Sequence, residues 1–208
     1  EAAVAGQAVD APYTLVDMAD DASGVLDALG IGAAHLVGAS MGGMIAQRFA
    51  SNHPDRTLSL CSIMSMPRFI PGDPEVTVVL MAPDPGTREG RIEAGVEASR
   101  LLAGKGFDFD EDLAREFSAA MIDRAWHPDG AARQMAAILI DGDRRSALAE
   151  VRVPTVIIHG TDDRLVVPQG AEESADAIPG SELVWIEGMG HNLPEGAWPT
   201  VLDAISDL

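Results

Sequence analysis

The 208-residue chain has little cysteine, few aromatics, few basic residues and no long apolar run. A single cysteine, Cys61, cannot form an internal disulfide, and its setting in Leu58-Ser59-Leu60-Cys61-Ser62-Ile63 reads as a small buried hydrophobe rather than a reactive thiol. The expected location is a reducing compartment, the cytoplasm. Lys plus Arg number 14 against 33 Asp plus Glu, a formal net charge of −19 that would repel phosphate backbones and anionic membranes. Nucleic acid and membrane surfaces are therefore not expected partners. The longest apolar stretches, residues 76–82 and 151–159, the latter interrupted by Arg152 and Pro154, fall well short of the ~20 residues a membrane helix needs. The composition, 47% hydrophobic and 23% charged, is that of a globular protein and excludes disordered and collagen-like classes.

Residues 1–11 lack any sustained period and read as a loop or tail. Glu1 is not Met, and no basic then apolar leader follows it, so the expectation is a processed chain or a fragment. Thr14 with Asp17 three residues on predicts a capped helix start, followed by Leu15, Met18, Ala22, Val25, Leu26 and Leu29 at helical spacing up to Gly30. Residues 35–39 are too short an apolar run for a helix and read as a strand; helical spacing resumes over 41–51, and 57–64 reads as a second buried strand. Two strands around a crossover helix predict a mostly parallel α/β sheet flanked by helices. Prolines 67, 71, 74, 83 and 85 then break the pattern, and helices are predicted over 88–102, 111–123 and 128–141. The βα alternation returns with strands 153–159 and 182–187 and helices 168–177 and 197–206. The expected organisation is an N-terminal part of an α/β core over 1–66, a helical insertion over 67–150, and the C-terminal part of the core over 151–208.

The turn between the first strand and its helix carries Gly38-Ala39-Ser40-Met41-Gly42, a G-x-S-x-G motif in the strand-to-helix context that gives it meaning. Reversal around one residue strains the backbone at Ser40, and glycines at 38 and 42 are expected to leave the room the chain needs. The Met41 N–H, at the helix start, faces negative charge developing on an attacked carbonyl. A serine needs a base, and His191 in Gly188-Met189-Gly190-His191 follows the last strand, where loops gather at the C-terminal ends of parallel strands. His159 reads as a hydrogen-bonded structural residue, and His35, His53 and His127 as bystanders. The base in turn needs an acid, and the loop Gly160-Thr161-Asp162-Asp163 offers two candidates that cannot both face one imidazole. Ser, then acid, then His is the chain order of α/β-hydrolases rather than of chymotrypsin-like or subtilisin-like proteases.

On these motifs the chain resembles the α/β-hydrolases, and among them the bacterial aclacinomycin methylesterase-like esterases. The likeness is carried by Pro12-Tyr13-Thr14-Leu15, Asp17-Met18-Ala19-Asp20-Asp21, His35 to Gln47 around the elbow, His159-Gly160-Thr161-Asp162-Asp163 and Gly188-Met189-Gly190-His191, nearly the whole length. The resemblance implies Ser40 as nucleophile, His191 as general base, Asp163 as its orienting acid and the Met41 N–H as one oxyanion donor. It makes residues 67–150 a cap over an acyl pocket and implies a small-molecule ester substrate and no cofactor or metal. Met64, Met66, Phe69, Met81, Met135 and Ile138 would line such a pocket, although their spacing suits plain core as well. The departure from the family is at the N-terminus. Only 39 residues precede Ser40, and none reads as the earlier loop that gives such enzymes a second oxyanion donor. Loss of one donor costs about 100- to 1000-fold in turnover, so a weak serine ester hydrolase is expected. The strand at 35–39 would also become a sheet edge, covered by a second copy of the chain in a homo-oligomer, by rearranged residues 1–11, or by a separate N-terminal piece. The competing reading is a truncated, catalytically impaired hydrolase-like domain that serves as an oligomeric or binding module.

Overall fold

A computed structural model describes residues 11–208, and the tail expected over 1–11 lies, except for Ala11, outside them. The described elements run α1 (Leu15–Ala28), β1 (Ala34–Ala39), α2 (Met41–Asn52), β2 (Thr57–Ile63), α3 (Pro74–Leu80), α4 (Arg88–Leu102), α5 (Glu111–Arg124), α6 (Pro128–Asp141), α7 (Arg145–Leu148), β3 (Thr155–Gly160), α8 (Gln169–Ala177), β4 (Glu182–Ile186) and α9 (Trp198–Ser206). The four strands form one sheet in the order β1-β2-β3-β4, and every pairing is parallel.

Local chemistry explains the boundaries. The Thr14 hydroxyl accepts from the Asp17 N–H while the Asp17 carboxylate accepts from the Thr14 N–H at 2.7 Å, a reciprocal capping box, and Gly30 leaves the helix at φ +68°. β3 starts at Thr155, two residues later than the pattern predicts, directly after Pro154, which has no N–H to donate to a ladder. Two elements were not legible. α3 and α7 are only 7 and 4 residues long, too short for helical spacing to declare itself among the prolines and charges around them.

The central strands are buried on both faces, which is why they read as continuous apolar runs. Cys61, Ile63, Val156 and Ile158 pack toward Val201 of α9 and the buried Met189, while Leu60 and Ile157 pack on the opposite side with Ala46 and Ala50 of α2 and Ala171 of α8. Cys61 is fully buried, and desolvation pushes its thiol pKa up to about 12, so it is the small hydrophobe the sequence indicates. β1 is an outer strand of the described sheet, in register with β2 alone. Val37, its side chain on the α9 face beside Cys61, is 52% exposed, so cover on that face stops short of β1. No helix among the described residues is long and apolar enough to cross a membrane.

Candidate active site

The reversal from β1 to α2 is built around Ser40, which has φ 54° and ψ −121°, a left-handed backbone that a side-chain-bearing residue adopts only under constraint. The constraint comes from the next strand: the Ser40 N–H donates to the Ile63 carbonyl at 2.9 Å. Met64, at the end of β2, is held at φ 42°, with its N–H donating to Ile158 O at 2.8 Å. Both strands thus end in a strained residue tied to the neighbouring strand.

The room for this turn is not where the motif suggests. A Cβ on Gly38 would fall on the Gly42 carbonyl, as expected, but one on Gly42 would meet nothing within 4 Å. The second crowded glycine is Gly43, where a Cβ would lie 2.6 Å from the Ser65 Cβ, because α2 crosses the chain leaving β2 at that point. Gly38→Ala is therefore expected to cost about 1–3 kcal/mol by overpacking, while Gly42→Ala is tolerated, a contrast that chemical denaturation of the two variants reads directly.

Three loops at the C-terminal ends of β1, β3 and β4 meet over this turn. The His191 Nε2 lies 2.9 Å from the Ser40 Oγ, and its Nδ1 lies 2.8 Å from the Asp163 Oδ2. A carboxylate can only accept, so in the neutral ring Nδ1–H donates to Asp163 and the bare Nε2 accepts from the Ser40 hydroxyl. Asp163 is 2% exposed, and its other oxygen, Oδ1, accepts the Leu165 and Val166 N–H groups, both at 2.9 Å. Asp162 faces away from the imidazole: its Oδ2 accepts from the Lys105 N–H at 3.0 Å. Met41 is the first residue of α2, so its N–H has no carbonyl four residues back within the helix and stands at the positive end of the helix dipole. The Gly43 and Met44 N–H groups, by contrast, both donate to the Ser40 carbonyl, at 3.0 and 3.2 Å.

Three of the other four histidines have structural partners. His159 is fully buried, its Nε2–H donating to Val166 O at 2.7 Å, and desolvation holds its pKa below the ordinary imidazole value against that hydrogen bond. His35 Nδ1 bonds the Ser59 hydroxyl at 2.7 Å, and His53 Nε2 lies 2.8 Å from an Asp20 oxygen. Of the residues considered for an acyl pocket, Met64 and Met66 are buried core, whereas Phe69, Met81 and Met135 are exposed. A cleft of about 570 Å³ opens beside the acid loop, lined in part by Glu97, Arg100, Lys105, Phe109 and Asp162; Ser40 and His191 do not line it.

Two supports of the site carry no signature in the sequence. Behind α2, the buried Gln47 donates to the Ser62 hydroxyl at 3.1 Å and accepts at 3.1 Å from Arg144, whose guanidinium also bonds Asp141 and the Met66 carbonyl. Arg48 closes the other Asp141 oxygen at 2.8 Å. An arginine 2% exposed is indistinguishable in sequence from the solvated Arg145 beside it. The second support is the stretch between α4 and α5, which lies against the histidine loop: Gly106 N–H donates to Gly188 O at 2.9 Å and His191 N–H to Leu102 O at 2.8 Å.

Comparison with known proteins agrees with this architecture. A family profile described as alpha/beta hydrolase fold matches residues 6–196. Rhodomycin D methylesterase DauP of Streptomyces sp. (strain C5) is 32% identical to this chain over an alignment that covers 88% of the chain and 69% of DauP. Rhodomycin D methylesterase DnrP of Streptomyces peucetius is 31% identical with the same coverage. Among solved structures, the meta-cleavage product hydrolase CumD of Pseudomonas fluorescens IP01 superposes with a TM-score of 0.73 at 18% identity, covering 94% of this chain and 72% of that one. At that identity the likeness speaks for the fold alone. With its profile match over most of the chain, its parallel sheet and its methylesterase relatives, this chain belongs to the α/β-hydrolase fold family.

Proposed function

We propose that the chain hydrolyses carboxylic esters through a covalent acyl-enzyme on Ser40. The observation that carries the proposal is the unbroken run from Ser40 Oγ through His191 to Asp163, with both links at hydrogen-bond length. Ser40 Oγ attacks the ester carbonyl as His191 Nε2 takes its proton, and the carbonyl oxygen gathers negative charge toward the Met41 N–H and the α2 N-terminus. Asp163 holds the ring in the tautomer with Nδ1–H and stabilises the imidazolium. His191 then returns the proton to the departing alcohol, and a water activated by the same ring releases the acid. The helices over residues 67–150 serve in this reading as the cap above the acyl group. The names of DauP and DnrP support methyl esters as substrates to try.

Incubation with a serine-directed phosphonate tests the proposal, since labelling requires an activated hydroxyl even where turnover is slow. Stoichiometric labelling at Ser40 is expected, none in Ser40→Ala, and parallel loss of p-nitrophenyl ester hydrolysis. Equal background rates and no labelling in both proteins would favour the non-catalytic module instead.

A further inference from the structure

We infer that the stretch joining α4 to α5 is the bearing that holds His191 in place, with Gly104 and Asp162 as positioning residues, an inference about catalysis that rests on the serine-hydrolase reading above. Three backbone N–H groups define the contact. His191 N–H donates to Leu102 O at 2.8 Å, Gly106 N–H to Gly188 O at 2.9 Å, and Lys105 N–H to the Asp162 carboxylate at 3.0 Å. The same short stretch is thus tied to the loop of the acid and to the loop of the base.

Between these bonds the two chains touch backbone to backbone. A Cβ on Gly104 would fall on Gly188 O and Gly190 N, and one on Gly106 would lie 2.7 Å from the Gly188 Cα. A Cβ on Gly190 would fall on Leu102 O, and Gly188 sits at φ +70°. Gly104 is not in the left-handed region, so the demand on it is purely one of space. The atoms that a Cβ on Gly104, Gly106 or Gly190 would meet first are all backbone, so the separation of the two loops there is set by peptide groups in contact, which yield less readily than side chains.

The chemistry requires that rigidity. His191 must keep bonds of 2.8 and 2.9 Å on opposite sides of one ring, and the tether from its own N–H to Leu102 O locates the backbone from which the ring projects. A displacement of about 1 Å at a reacting group costs on the order of 100-fold in rate. Asp162, which the sequence offered as a rival acid, contributes here through its bond to the Lys105 N–H: it anchors the bearing while its neighbour Asp163 orients the ring.

The test pairs kinetics on a short-chain p-nitrophenyl ester with amide hydrogen exchange at His191, for Gly104→Ala, Asp162→Ala and Asp162→Asn. Gly104→Ala is expected to lower kcat about 100-fold with KM changed less than about twofold, because Gly104 presses on the backbone of Gly188 and Gly190 rather than on Ser40 or the Met41 N–H. Asp162→Ala is expected to lower kcat about tenfold. Asp162→Asn keeps an oxygen for the Lys105 N–H and is expected to recover to within about threefold of the parent, a rescue that loss of general stability would not give. The His191 amide, protected in the parent, is expected to exchange at least about tenfold faster in Gly104→Ala and Asp162→Ala and to stay protected in Asp162→Asn. A folded Gly104→Ala with parental kcat, an Asp162→Asn as impaired as Asp162→Ala, or a freely exchanging His191 amide in the parent overturns the inference. If Gly104→Ala does not fold, the two Asp162 variants and the parental amide decide. A parent with a protected His191 amide but no Ser40-dependent turnover overturns the serine-hydrolase reading and leaves the bearing standing as a structural feature.

Discussion

Asp163→Asn is expected to lower kcat for ester hydrolysis about ten-thousand-fold while leaving the fold intact. The size of the effect follows from what the carboxylate touches. Its Oδ1 accepts two N–H groups, from Leu165 and Val166, each at 2.9 Å. An asparagine there has only one arrangement without a clash of donors: the amide oxygen takes the Oδ1 position and the NH₂ group faces His191 Nδ1. Nδ1 must then become the acceptor, which places the ring proton on Nε2, toward Ser40, where the base should be. In the proposed mechanism it is the wrong tautomer, and not a misplaced ring, that removes the activity. Because the Leu165 and Val166 bonds survive the change, the variant is expected to melt within a few degrees of the parent. Steady-state kinetics with calorimetry checks both halves, and a loss smaller than about tenfold would show that Asp163 is not the orienting acid.

Arg144→Ala is expected to destabilise the protein by about 3–5 kcal/mol, the cost of breaking a buried ion pair by removing one partner. Arg144 and Asp141 have side chains only 2% exposed, and burial works against the charge of Arg144 while Asp141 supports it. Removing the guanidinium leaves Gln47 Oε1 and the Met66 carbonyl without that donor and halves the cationic cover of Asp141, although Arg48 remains at 2.8 Å. For a chain of this size the loss corresponds to a melting point lower by roughly 10 °C. Arg144→Met, which fills much of the volume, is expected to be nearly as unstable, since the acceptors stay buried and unpaired. Urea denaturation measures both variants, and a loss below about 1 kcal/mol in each would mean that water or rearranged side chains satisfy the network. Gln47 lies on α2, so the same network also braces the helix that follows Ser40.

The helix cap at Thr14, the alternation of strands and helices, the turn at Ser40 and the loop position of His191 were all legible because each depends on residues within a few positions of one another. G-x-S-x-G between a strand and a helix is a local statement about backbone reversal, and the left-handed φ at Ser40 answers it. Gly42 shows where local reasoning fails: the motif names it, but the crowding falls on Gly43, because what approaches is Ser65 from the next strand's exit. The three longer helices, α4, α5 and α6, were legible as helices, yet their surfaces were not. Leu113, Phe117 and Met121 share one stripe of α5 that is more than half exposed, although an apolar stripe at helical spacing ordinarily faces a core.

By itself, then, the sequence determined the kind of fold, the turn that presents Ser40 and the placing of Asp163 and His191 in loops that follow strands, since hydrophobic period, glycine placement and capping act over a few residues. The residues alone left Asp162 and Asp163 open and the resemblance pointed to Asp163; only the tertiary structure sets that side chain against His191 and decided which arginine is buried under α2 and that the glycines at 104, 106, 188 and 190 press two loops together. Those outcomes turn on contacts between segments dozens of residues apart, where burial, and with it the cost of an unpaired charge or an added methyl group, is set by whatever the rest of the chain brings alongside.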